Sequence, residues 1–127
     1  ERVLFPGFVN DNELISLYKQ STALVMPTYF GPTNIPPLEA FELGVPVLYS
    51  DLPGLREQVG DAALLFDLND PRSLVSNLKN LLKSKDLKND LVNRGHLKLK
   101  EITSEQNKLD ILKNIIKKFQ LIRRCWE

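Results

Sequence analysis

The sequence predicts an α/β domain, a parallel sheet covered by helices on both faces, and three observations point there. Apolar runs of three to five residues (3–5, 23–26, 45–49 and 63–66) alternate with stretches of about ten residues whose apolar positions recur at helical spacing. Proline or glycine closes these runs or the helices between them, at Pro6-Gly7, Pro27, Gly44 and Gly60. The 127 residues, 43% apolar and 26% charged, suffice for one core and not two.

Taken in order, residues 3–5 read as a buried strand ending at Pro6-Gly7. Asp11 or Asn12 then caps a helix whose apolar stripe is Leu14, Ile15, Leu17 and Tyr18. Residues 23–26 form a second strand, stopped by Pro27. A stiff loop runs to Ile35, and Pro37 suits a first helical turn because its missing N–H would have had no partner there. That helix stops at Gly44, a natural C-cap. Residues 45–49 give a third strand, 55–59 a short helix before Gly60, and 63–66 a fourth strand. Asp70-Pro71 starts a helix carrying Leu74, Val75, Leu78, Leu81 and Leu82. From Leu87 onward the period is helical, with breaks expected near Gly95 and around Thr103-Ser104. No internal repeat or low-complexity tract interrupts this plan.

The bulk chemistry narrows the classes. A lone Cys125 beside the C-terminus has no internal disulfide partner, which fits a reducing, cytoplasmic setting. No apolar run approaches the ~20 residues that span a bilayer. Residues 1–70 carry three Lys/Arg against ten Asp/Glu, whereas 71–127 carry fourteen against six. Such a split suits a membrane-surface or nucleic-acid contact, but the basic residues are spaced as solubilising faces of amphipathic helices, the reading we prefer. His96 stands in a Lys-rich helical stretch as a solvated side chain. Neither it nor Cys125 belongs to a ligand cluster or a nucleophile–base pair, so no metal site and no catalytic residue is assigned.

The segment 27–39 occupies the place where open parallel sheets bind ligands, after the carboxyl end of a strand and before a helix. Helix starts attract anions through unpartnered N–H groups and the dipole. Pro32, Pro36 and Pro37 offer no N–H, leaving Thr33, Asn34, Ile35, Leu38 and Glu39 as amides able to face a ligand. The prolines order the loop in advance, and Gly31 permits close backbone approach. Glu39 has two readings: a carboxylate favoured by the helix dipole, or a fixed acceptor for two ribose hydroxyls. No basic residue lies between Lys19 and Arg56, so a cation to neutralise a diphosphate must come from elsewhere.

From Val3 to Leu82 the chain resembles the donor-binding C-terminal domain of GT-B glycosyltransferases, specifically the large retaining family four, or glycosyl transferases group 1. The resemblance rests on several blocks in a fixed order: a strand ending in F-x-G, a helix with L-x-x-x-Y, a strand ending in proline, L-E-A-x-x-x-G-x-P-V, then D-x-x-G-x-x-E and G-D-A-x-L-x-x-x-x-x-D-P. It implies a Rossmann-like sheet and makes Glu39 the second glutamate of an E-x7-E motif, which holds the ribose of a nucleoside diphosphate sugar. Thr33, Asn34 and Ile35, with Leu38 beside them, would meet the donor sugar and pyrophosphate, and Gly7 and Phe8 would flank the nucleobase. The motif's first glutamate falls on Gly31, where no carboxylate stands; Thr33 and Asn34 are the candidate replacements.

The resemblance also implies a fragment. In the strand order 3-2-1-4-5-6, the run at 3–5 would be strand three, and the two strands between it and the next are missing. So are the basic pair they carry and the acceptor-binding N-terminal domain. Residues 1–127 are thus read as a partial donor domain, with 87–127 a helical C-terminal extension. The implied activity is transfer of a sugar from a nucleoside diphosphate sugar to an acceptor hydroxyl, in polysaccharide or glycoconjugate biosynthesis. It needs no cofactor, metal or nucleic acid, and the fragment alone is expected to be inactive. The alternative is a nucleotide-binding or assembly module that has lost transfer, which Gly31 favours. A receiver-like phosphoacceptor domain lacks its acidic cluster. The last helix, 107–127, is expected to pack back across the domains; contact with the inner face of the membrane is the second reading, from its basic amphipathic character.

Overall fold

The computed structural model describes residues 3–30 and 34–123. Among them, nine elements follow in the order α1 (Asp11–Gln20), β1 (Leu24–Met26), α2 (Pro36–Glu42), β2 (Val47–Ser50), α3 (Leu55–Val59), β3 (Ala63–Phe66), α4 (Pro71–Lys83), α5 (Lys85–Thr103) and α6 (Glu105–Arg123). The strands form one parallel sheet in the order β1-β2-β3, with Leu24 opposite Val47 and Val47 opposite Ala63. The expected α/β class is what is seen.

Both faces of the sheet are covered. Val47 and Tyr49 point to one side, where Ala40 and Phe41 of α2, Leu55 and Val59 of α3, and Ala63 form a core. Leu48 and Phe66 point to the other, against Leu81 of α4 and Leu91 of α5. All four β2 residues are buried, as befits a central strand. Helix α5 reaches both layers, with Leu91 in the second core and Leu99 packed against the first.

Local chemistry sets the ends of the elements. Asn10, rather than Asp11 or Asn12, caps α1: its side chain accepts from the Glu13 N–H at 3.1 Å, and Glu13 Oε2 accepts from the Asn10 N–H at 2.9 Å, a closed capping box. Asp70 caps α4 as expected. Gly44, with φ +69°, ends α2 in a Schellman arrangement in which the Val45 N–H reaches the Ala40 carbonyl at 2.8 Å. That bond spends the Val45 amide on the helix end, which is why β2 begins at Val47 and not at Val45.

Two expectations fail. Residues 3–5 form no strand; Leu4 is 86% and Phe5 91% exposed. A strand is held by its neighbours' hydrogen bonds, and among the described residues no strand pairs with this run. The break near Gly95 is also absent, because α5 runs through it. Glycine is required there by packing: a Cβ on Gly95 would lie 2.7 Å from Cδ1 of the buried Phe41 ring. The break at Ser104 is present, between α5 and α6.

Gly95→Ala should therefore destabilise this chain by about 1 kcal/mol in urea unfolding, as overpacking exceeds the gain in helix propensity. In a Phe41→Leu background, the same alanine should cost nothing or stabilise.

Candidate functional site

The loop from Pro27 to Ile35 leaves the carboxyl end of β1 and delivers the chain to α2, and the loops after β2 and β3 leave the same end of the sheet. Gly31 and Thr33 lie outside the described residues, as does Cys125. The rest of the candidate site can be built residue by residue.

Glu39 sits half-buried in the first turn of α2. Its Oε2 accepts a hydrogen bond from the Tyr18 hydroxyl at 3.0 Å. Burial, then the hydrogen bond and charge of Glu39, push the Tyr18 hydroxyl up from 10.0 to about 12. Tyr18 therefore serves α1 twice, packing against the core on the sheet's α2 side and holding the carboxylate. Sequence reasoning placed it only in the apolar stripe of α1; its being the one stripe residue with a hydroxyl was the available signal.

The amides divide differently from the expectation. Those of Leu38 and Glu39 donate to the Ile35 carbonyl, at 2.8 and 3.2 Å, so the first turn closes on itself and they do not face a ligand. Ile35, the N-cap residue, has no side-chain cap and is 63% exposed. Asn34 turns its side chain inward, with Nδ2 donating to the Tyr49 hydroxyl at 2.5 Å. One face of its amide is thus engaged by the core, while the residue also borders a groove at the surface.

A groove of about 320 Å³ is lined by Asn34, Ile35, Leu38, Gln58 and Lys98. Lys98 comes from α5, far along the sequence, and its Nζ donates to Glu101 Oε2 at 3.1 Å. Phe8 is 97% exposed, and Gly7 is also exposed. The segment around them borders a second groove, of about 510 Å³, lined by Pro6, Val9, Asn10, Glu13 and Leu17. The two halves of the expected site thus border separate grooves.

Arg56 forms an ion pair with Asp51, whose carboxyl it holds below the usual carboxylate range. His96 is half-buried rather than solvated, with Nε2 beside Gly44. Among the described residues, no group of three or more His, Cys, Asp or Glu is placed to hold a metal.

Comparison with known proteins gives this geometry its context. Residues 1–98 match the family model described as glycosyl transferases group 1. The chain belongs to that family. Among its relatives, it is 31% identical over 103 residues to O-antigen chain mannosyltransferase B of Escherichia coli, covering 81% of this chain and 27% of that protein. It is 37% identical over 81 residues to O-antigen chain mannosyltransferase RfbU of Salmonella typhimurium, covering 64% and 23%. The chain thus spans about a quarter of the length of these two relatives. Sucrose-phosphate synthase from Thermosynechococcus elongatus shares the fold, with a TM-score of 0.74 at 24% identity, over 94% of this chain and 31% of that one.

In this group 1 glycosyltransferase chain, the raised Tyr18 hydroxyl carries a pH dependence. Above pH 10.0 the unfolded chain sheds the Tyr18 proton while the folded chain retains it up to about 12, so stability is full below pH 10.0 and falls as pH rises through that window. Urea unfolding at about pH 9 and about pH 11 should show a smaller loss between the two for Tyr18→Phe than for the unaltered chain.

Proposed function

We propose that this chain is the donor-binding part of a retaining glycosyltransferase, one that moves a sugar from a nucleoside diphosphate sugar to an acceptor hydroxyl in polysaccharide or glycoconjugate biosynthesis. The observation that carries the proposal is Glu39: a carboxylate in the first turn of the helix after β1, with one oxygen already oriented by Tyr18. A carboxylate held in this way accepts the two vicinal hydroxyls of a ribose at little entropic cost. The names of the relatives, O-antigen mannosyltransferases, support the polysaccharide setting.

In this reading Glu39 grips the pentose, while Thr33, Asn34 and Ile35 present backbone to the donor sugar and pyrophosphate. Gly7 and Phe8 flank the nucleobase once the upstream strands bring their segment to the loop. Leu38 contributes through its side chain at the groove. Catalysis is placement of the donor together with stabilisation of charge on the departing diphosphate. In this reading the acceptor-binding domain and the cations for the diphosphate come from polypeptide outside these 127 residues.

Helix α6 fits the same picture. Leu109, Ile111, Leu112, Ile115 and Ile116 are each about half exposed, an apolar stripe unlike a solvated surface. We assign it to packing against the rest of the enzyme. No helix among the described residues is long and apolar enough to cross a membrane. A cytoplasmic enzyme that stays in solution on flotation with anionic vesicles fits this assignment; one that floats through α6 makes the stripe a peripheral membrane contact.

The second reading, a binding module without transfer, draws on Gly31 in place of the first motif glutamate. Glu39→Gln in the full polypeptide separates the two. The variant should lose about tenfold or more in kcat/KM for the donor, the worth of a charge-assisted hydrogen bond pair. Unchanged donor kinetics would remove Glu39 from the site. Nucleotide that raises the melting temperature of the unaltered enzyme without any sugar transfer or hydrolysis would favour the module.

A further inference from the structure

Tyr49 lies in the central strand, is 0% exposed, and belongs to the core between the sheet and α2. Phenylalanine would fill that space as well. The hydroxyl instead costs free energy unless it is paired, and it is paired on both sides. It accepts from Asn34 Nδ2 at 2.5 Å and donates to Gln58 Oε1 at 3.2 Å. Gln58, on α3, completes the circuit by donating from Nε2 to the backbone carbonyl of Asn34 at 2.6 Å. Three residues from a strand, a helix and a loop thus form a closed ring of hydrogen bonds, with both the side chain and the backbone of Asn34 held.

Asn34 is where such a grip has the most effect. It directly follows residues 31–33 and precedes Ile35, which lies in the right-handed helical region (φ −75°, ψ −39°) although the residue before a proline usually stays extended. Pro36 and Pro37 withhold two amides from the first turn, and no side chain caps it. The loop therefore lacks the usual local means of setting the approach to α2, and the ring supplies one from the core.

We propose that Tyr49 and Gln58 are positioning residues for the donor: by holding Asn34 they set the backbone of Asn34 and Ile35, at the entry to α2, that meets the sugar and pyrophosphate. The inference rests on the donor-site reading above. It also addresses Gly31: where no carboxylate side chain is available to the sugar, contacts fall to the backbone, and the aim of that backbone becomes the determinant of affinity.

The test uses the full polypeptide and the best donor from a panel of GDP- and UDP-hexoses, followed by transfer or hydrolysis. Tyr49→Phe keeps the ring and removes the hydroxyl. Gln58→Glu keeps an acceptor for Tyr49 but no longer donates to the Asn34 carbonyl. Each should raise the donor KM about fivefold, the scale of one net hydrogen bond, with kcat within about twofold and the acceptor KM unchanged. The double variant should be little worse than either single one, because the ring acts as a unit. Amide exchange at Ile35 should quicken in both. Unaltered donor KM in both variants, with Glu39→Gln impaired, overturns this inference and leaves the donor site standing. Equal losses for donor and acceptor also overturn it, as the sign of general loosening. Should Glu39→Gln be without effect as well, both readings fall.

Discussion

The contact between the Phe41 ring and the bare backbone of α5 at Gly95 fixes where α2 lies, and the candidate site lies where α2 puts it. A ring carbon at 2.7 Å from the place a Cβ would take leaves no room for any residue but glycine. Helix α2 has only seven residues, too few to hold itself in water, so its stability comes from burying Pro37, Ala40 and Phe41 against β2 and α5. Glu39 shares that short helix. Its direction is therefore inherited from a hydrophobic contact on the opposite side.

Two polar devices refine what the packing sets coarsely. Tyr18 reaches from α1 to the Glu39 carboxylate, and the Asn34–Tyr49–Gln58 ring reaches from β2 and α3 to the loop. Both use a tyrosine whose ring is in or against the core and whose hydroxyl looks outward to the site. A tyrosine suits this purpose because the apolar body is held by packing, so the position of the oxygen costs little further ordering. The chain enters α2 through Pro36 and Pro37, and proline fixes a local backbone angle but cannot by itself set a direction for the loop before it.

The segment from residue 3 to residue 20 is held more loosely. Helix α1 buries no residue, and Leu14, Ile15 and Leu17 remain 38% to 48% exposed along with Val3, Leu4, Phe5 and Phe8. A capping box can close the start of that helix without any tertiary partner, whereas of its apolar stripe Tyr18 packs against the core and Leu14, Ile15 and Leu17 stay partly exposed. The same accounting applies to α6. Apolar surface of this kind, at both ends of a chain that spans about a quarter of its relatives, matches a domain whose packing is shared with further polypeptide.

How much of this was legible in the sequence follows from the range of the forces involved. Strand and helix order, the caps at Asp70 and Gly44, the parallel class and the place of Glu39 after the first sheet strand are local or periodic properties, and the residues 24–26, 36–44 and 55–83 carry them openly. Other features needed the fold. Residues 3–5 have the composition of a strand but no neighbours, and a strand exists only by pairing. Gly95 reads as a break until Phe41, distant in sequence, is seen to require it. Asn34 shows no tie to the core until Tyr49 and Gln58, 15 and 24 residues away, are seen to hold it. The chain alone determined what each segment could become, because propensity and capping act over a few residues. Which side chains meet was decided only when the sheet and helices packed, since contact between remote residues depends on all the intervening elements being in place.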